Sequence, residues 1–183
     1  MKYFRIFPDV KEGARRLGMP QQASGEPVDC SLFFRPDSLP YSQLRIPIDV
    51  EGYRTDFTIA PIEIPVLSLE CSRVVQTAVR HPIEFVDATL SNGETVKILH
   101  VSAVCECLDY NRSHLSVYPK NYPRKELVDK PQYVTKLAID HTKTGELDIF
   151  RVKDYEAALI ISGRVQDVLQ EHGYQGYTIL YEV

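Results

Sequence analysis

The sequence predicts an α+β domain, and three observations carry that prediction. A short apolar run, Ala157-Ala158-Leu159-Ile160-Ile161, leads through Ser162 into Val165, Val168, Leu169 and His172, which recur at helical spacing. An Asn92-Gly93 pair separates two alternating segments, the strongest short-range signal for a β-hairpin. The pattern of strand, serine, helix and strand in residues 157–183 also recurs in residues 65–90. Hairpins accompanied by a few helices belong to the α+β class.

In the C-terminal unit, Arg164, Gln166, Asp167, Gln170 and Glu171 point away from the apolar stripe, so the helix is expected to be solvated on one side. Ser162 is placed to cap its N-terminus, Gly173 to supply a left-handed C-cap, and residues 176–183 to resume as a strand. The upstream copy has Pro65-Val66-Leu67-Ser68 as strand end and cap, followed by a stripe of Cys71, Val74, Val75, Ala78 and Val79. Cys71 and Val165 both lie three residues after their serine, Val74 and Val168 six, Val75 and Leu169 seven. Residues 83–90 then take the place of 176–183. A duplicated strand-helix-strand unit is one reading of this self-similarity; coincidence between common elements is the other.

Along the rest of the chain, residues 2–7 alternate Phe4 and Ile6 against Tyr3 and Arg5, a strand. Seven of the twelve prolines lie between Pro20 and Pro65, which argues against a long helix or a central strand there. Residues 8–65 therefore read as a proline-rich irregular arm of short strands and turns, mobile near 18–27, and residues 66–183 as the regular α+β core of a single domain spanning 1–183. The arm is expected to be ordered because Phe33, Phe34, Tyr41, Ile46, Ile48, Tyr53 and Phe57 are too many apolar groups to leave in water. After a helix over 69–81, strands are expected at 83–90 and 95–100. A short helix is expected over 102–108, where Val101, Val104, Cys105 and Leu108 have helical spacing. A tyrosine-rich loop, 109–131, precedes a second hairpin made of 132–140 and 147–152.

Composition limits the function classes. Hydrophobic residues at 44% and charged residues at 25% are globular values, and a net charge of −4 with a pI near 5.7 lacks the basic surplus of a general nucleic-acid binder. No apolar run has the length of a membrane span, and the charged start Met1-Lys2-Tyr3-Phe4-Arg5 does not read as a signal peptide, so the expected compartment is the cytosol. Four cysteines without disulfide-framework spacing agree with a reducing environment.

Chemistry-bearing motifs are sparse. Cys105-Glu106-Cys107 near His100 and His114 is the nearest approach to a metal cluster, but two thiols two residues apart on a helix point about 200° apart. The expected arrangement is Cys105 in the core and Cys107 near the surface, with no metal. The sequence has no Gly-x-Ser-x-Gly elbow, phosphate loop or dinucleotide fingerprint, and Ser68 and Ser162 read as caps rather than nucleophiles. No enzymatic activity and no cofactor are expected. Lys120, Arg124, Lys125 and Lys130 lie among Tyr118 and Tyr122, a mixture that suits nucleic acid or protein, but Glu126 and Asp129 interrupt the basic run.

Several short segments together carry a family resemblance: Lys2-Tyr3-Phe4-Arg5, Pro65-Val66-Leu67-Ser68 with its helix, and Leu108-Asp109 followed by Ser113. To these are added Ile149-Phe150-Arg151 and the closing Ile160-Ile161-Ser162, Gly173, Gly176-Tyr177 and Val183. In their order and spacing the chain resembles polymorphic-toxin immunity proteins of the family typified by a myxobacterial immunity protein, often encoded beside toxins of contact-dependent or type VI secretion systems. It departs from that pattern at Ile179, where an aromatic is usual, in having no tryptophan, and across 20–65. The resemblance implies a cytosolic protein that binds and blocks a cognate toxin domain without catalytic residues. An adaptor or chaperone that leaves a secreted effector active is the alternative, and an enzyme reversing the toxin's modification a third. Within the loop, Tyr110, Arg112, Tyr118 and Tyr122 are the candidate partner-binding residues, because aromatic rings and guanidinium forks provide contact at low entropic cost.

Overall fold

In chain order the first part of the molecule holds β1 (Tyr3–Pro8), β2 (Arg16–Leu17), β3 (Gln21–Gln22), β4 (Gln43–Ile46), β5 (Ile48–Val50), β6 (Phe57–Ala60) and β7 (Ile64–Ser68). Then come α1 (Leu69–Ala78), β8 (Glu84–Leu90), β9 (Thr95–His100), β10 (Val104–Cys105), β11 (His114–Val117) and β12 (Pro131–Lys136). The chain closes with β13 (Ile149–Val152), β14 (Tyr155–Ser162), α2 (Gly163–Glu171) and β15 (Tyr177–Glu182). This computed structural model describes every residue except Val10, and at Leu180 and Tyr181 the backbone alone.

The strands assemble into a six-stranded sheet, β3-β4-β8-β9-β7-β6, and a five-stranded sheet, β10-β13-β14-β1-β15. The pairs β2/β5 and β11/β12 belong to neither. Most pairings are antiparallel, with β4/β8 and β10/β13 parallel, so the fold is α+β with mixed sheets.

Each sheet contains the same unit. In the first, α1 connects β7 to β8, and β9 lies between them, antiparallel to both. In the second, α2 connects β14 to β15, and the strand between them, again antiparallel to both, is β1 from the other end of the chain. A preceding strand pairs antiparallel with the first of each set, β6 with β7 and β13 with β14. The orders β6-β7-β9-β8 and β13-β14-β1-β15 therefore correspond, with the last strand of the second unit moved to the start of the chain. The duplicated strand-helix-strand unit is present in the fold.

Both helices pack into one apolar cluster shared by the sheets. Cys71 and Val75 of α1 meet Val165 and Leu169 of α2 together with Leu67, Leu99, Ile149, Leu159, Ile161, Ile6 and Phe57. Ser68 caps α1 as expected: its backbone is extended and its Oγ accepts the N–H of Cys71 at 3.2 Å. Gly173 closes α2 in the left-handed region at φ +66°, with the N–H of Tyr174 donating to Leu169 O at 3.1 Å. Gly176, at φ +108°, lets β15 start against β6, since a Cβ there would collide with the Phe57 carbonyl oxygen.

Several expectations are corrected. Ser162 stands at the N-cap position of α2 but makes no side-chain cap bond; its hydroxyl donates to Asp148 Oδ1 at 2.7 Å. Val74 and Val168 are half-buried rather than core, so only the Cys71/Val75 and Val165/Leu169 sides of the stripes face inward. Residues 102–108 form no helix: β10 runs alongside β13, and Cys105 and Cys107 are both buried with exposed Glu106 between them. Period 2 therefore overrides the helical spacing, because a flanking sheet edge satisfies the backbone of the extended form. The expected hairpin of 132–140 with 147–152 is also absent: β12 pairs back with β11, and β13 with β14 and β10.

The arm of residues 8–65 is ordered and contains short strands, but it is not peripheral. It contributes β3, β4, β6 and the first two residues of β7 to the six-stranded sheet, where β4 lies between neighbours on both sides, contrary to the expectation of no central strand. Within the stretch taken as mobile, β3 pairs with β4. Pro65 is accommodated in β7 because it lies opposite Ile59 of β6, just before the pairing with β9 begins at Val66.

Candidate functional site

The segment between β10 and β13 leaves both sheets and returns as a ribbon of β11 and β12. Its base is fastened by backbone hydrogen bonds. Asp109 N donates to Ala138 O at 3.0 Å, and Asp140 N donates to Cys107 O at 2.7 Å. Asp109 turns the chain outward, its Oδ1 accepting the N–H groups of Asn111 and Arg112 at 3.0 Å each. Buried Ser113 then clasps the returning strand. Its Oγ accepts Ala138 N–H at 2.9 Å and donates to Ala138 O at 3.2 Å. Below this point Cys105, Cys107, Leu137 and Ile139 enter a core with Tyr3, Phe150, Val152 and Ile160.

Three large apolar or aromatic groups of this segment are exposed. Tyr133 is 67% exposed, Tyr110 47% and Val117 40%, the first and last on paired strands of a ribbon that joins neither large sheet. Arg112 is exposed beside Asp109, its Nη1 at 3.8 Å from Oδ2. At the tip, the rings of Tyr118 and Tyr122 lie 4.5 Å apart and half-buried, and Tyr118 exchanges backbone hydrogen bonds with Lys130 and Asp129. Arg124 pairs with Glu126 at 2.8 Å. Burial pushes the Tyr110 phenol above 10.0, with nearby Asp154 adding to the shift and Lys130 opposing it. Tyr110 therefore keeps its proton at neutral pH and can both donate and accept.

The four residues expected to bind a partner thus divide. Tyr110 and Arg112 present their side chains near the base, whereas Tyr118 and Tyr122 spend much of their surface on each other and hold the tip. Tyr133 was missed because it alternates with Thr135, Leu137 and Ile139, which looks like one half-buried strand. The inner half of that series is buried and the outer half exposed.

Other candidate groups have structural partners. Burial pushes the thiols of Cys71, Cys105 and Cys107 above 9.0, so they are protonated and poorly nucleophilic at neutral pH. Among the described residues no group of three His, Cys, Asp or Glu side chains is placed to hold a metal ion. Buried His100 lies between Glu84 Oε2 at 2.9 Å and Arg35 O at 3.0 Å. Arg151 is fully buried, donates to Glu156 O at 2.8 Å and Glu63 O at 2.7 Å, and covers the Phe34 ring at 4.7 Å. Burial holds its guanidinium down to about 10, against the attraction of Glu63 and Glu156. No described helix is long and apolar enough to cross a membrane. No family model matches the chain, and no curated protein matches it.

Proposed function

We propose that this protein is an immunity protein that neutralises a cognate protein toxin in the cytosol by stoichiometric binding. The observation that supports this reading best is the ribbon of β11 and β12. It stands outside both sheets and exposes Val117 and Tyr133, while Tyr110 and Arg112 are exposed in the segment that leads into it, the composition of an interface with aromatic and arginine anchors. The clasp at Ser113 and the paired rings at the tip preorganise that surface, which lowers the entropic cost of binding. Inhibition then follows from covering or distorting the toxin, with no reaction on it.

The test is co-expression with a candidate toxin, which should restore growth while the two proteins co-purify in a fixed ratio. Alanine substitution of Tyr110, Arg112, Tyr118 and Tyr122 together with Tyr133 should abolish both protection and the complex, since hot-spot residues typically cost about 2 kcal/mol or more each. Circular dichroism of that variant should retain the parent spectrum. Protection at strongly sub-stoichiometric levels without a complex would replace binding by an enzymatic mode. A complex in which the toxin stays fully active would make the protein an adaptor.

A further inference from the structure

The two helices pack side by side and leave a groove of about 500 Å³ on their outer face. Its floor is Val74 and Ala78 of α1 and Val168 of α2, and its rim carries Arg73, Arg164 and His172. The floor residues are not part of the core cluster, which takes Cys71, Val75, Val165 and Leu169 from the adjoining faces of the helices. Arg73 and Arg164 are exposed, and neither guanidinium has an ion-pair or hydrogen-bond partner among the described residues.

The duplicated unit makes the charge arrangement informative. Counted from the two capping serines, Val74 and Val168 are equivalent, but Arg73 is equivalent to Asp167 and Arg164 to Glu70. At both non-equivalent positions it is the arginine that lines the groove, while Glu70, Asp167 and Glu171 lie outside the lining. A chain with a net charge of −4 thus concentrates unpaired positive charge around an apolar strip.

We infer that the α1/α2 groove docks an acidic, amphipathic helical segment of a partner protein. Two apolar side chains of that segment, one helical turn apart, seat on Val74, Ala78 and Val168, and flanking carboxylates pair with Arg73 and Arg164. A third helix laid on two packed helices finds ridges and grooves of the required spacing. A second copy of this chain fits poorly, because a two-fold contact through this face brings together four arginines and no carboxylate of the lining to answer them. A membrane surface also fits poorly, since the lining has no aromatic or leucine side chain to insert. This inference does not depend on the role of the ribbon.

The experiment uses the full chain and a fluorescently labelled peptide of about four helical turns, with Leu at i, i+3, i+4 and i+7 and Glu elsewhere. A twin peptide carries Lys in place of Glu. The Glu peptide should bind the wild type with an affinity that falls as salt rises, and should lose at least about tenfold in Arg73→Glu/Arg164→Glu. The Lys peptide should show the reverse preference. Both substitutions are at exposed, unpaired positions, so circular dichroism should be unchanged, and Val168→Ser provides a second variant that weakens binding without reversing charge. Equal binding of the two peptides, no effect of the double substitution, or failure of the Glu peptide to bind would overturn the inference. So would binding of phosphatidylglycerol vesicles through the same arginines, or self-association in sedimentation that the double variant abolishes. Toxin protection measured on the groove variant and on the ribbon variant separates the two surfaces.

Discussion

The two strand-helix-strand units share a backbone plan and differ in what their polar side chains do with it. An aspartate stands just before the strand that precedes each unit, Asp56 before β6 and Asp148 before β13, and its carbonyl accepts the N–H of the capping serine at 2.8 Å in both. The buried helix positions also correspond, Cys71 with Val165 and Val75 with Leu169. Yet Ser68 turns its hydroxyl into its own helix, whereas Ser162 turns it back to the Asp148 carboxylate. Asp148 in turn accepts from Arg80 N and Nε at 3.0 Å, just past the end of α1. The second unit has given up a local cap for a buried ionic tie that joins both helices to β13. Apolar spacing thus sets the repeated architecture, while single polar groups decide how the repeats are coupled.

The largest expected effect tests the shared apolar plan. Leu169→Asp and Val75→Asp should each unfold the protein, because an unpaired buried charge costs several kcal/mol against a total of about 5–15 kcal/mol. Val168→Asp, one position away, should stay folded and change stability by about 1 kcal/mol or less, since that residue is half-buried in the groove beside Arg164. Urea unfolding followed by circular dichroism distinguishes the cases. An unfolded Val168→Asp variant would mean that the outer faces of the helices are structural.

The tie between the units comes next. Asp148→Ala leaves the hydroxyl of Ser162 and the N–H groups of Arg80 without their acceptor, and should cost about 3 kcal/mol. Arg80 is 32% exposed and can recover water, which keeps the figure at the lower end of buried-pair losses. The equivalent Asp56→Ala should cost less, because Asp56 meets Ser68 and Gln175 through its backbone. Equal losses at the two aspartates, measured by urea unfolding, would erase the proposed asymmetry.

How much of this was legible in the sequence depended on whether a segment's partners were local. The two helices, the β8/β9 hairpin, the Gly173 cap and the outer strands of both units follow from periodicity and turn chemistry within a few residues. Gly93 adopts φ +88° in the β8/β9 turn, as the Asn-Gly pair suggested. What failed needed distant partners. The 101–108 stretch has apolar residues that satisfy period 3.6, and only β13, far along the chain, makes the extended form better. The prolines of 8–65 concealed β4, because its pairing with β8 is set by a strand some forty residues away. The exchange of β1 for a local middle strand in the second unit left no mark on the local pattern. At the candidate site, Tyr110 and Arg112 were visible as residue types, but the division between Tyr133 outside and Leu137 inside required knowing where the sheet ends.

The smallest effects separate the two serines most sharply. Ser68→Ala removes a neutral cap and should cost about 1 kcal/mol. Ser162→Ala removes a buried hydrogen bond to a carboxylate, and should cost about 2 kcal/mol, within the range for bonds to charged groups. The pH dependence distinguishes them further. Burial pushes the Asp148 carboxyl up, but hydrogen bonds from Arg80 and Ser162 outweigh it and leave the group below its ordinary 3.8. A carboxyl depressed in the folded state contributes stability that is fully present above its unfolded value and is lost as pH falls through the folded one. The loss at Ser162 should therefore hold constant at neutral pH and shrink below about pH 3.8, as the acceptor becomes protonated. At Ser68 the acceptor is a hydroxyl and the donor a backbone N–H, so no comparable change should accompany Asp148 titration. In an Asp148→Asn background the Ser162→Ala penalty should fall toward that of Ser68→Ala and lose its pH dependence. Equal, pH-independent losses for the two serines in the parent protein would show that Ser162 acts as an ordinary cap in solution, and that the ionic tie contributes nothing to coupling the units.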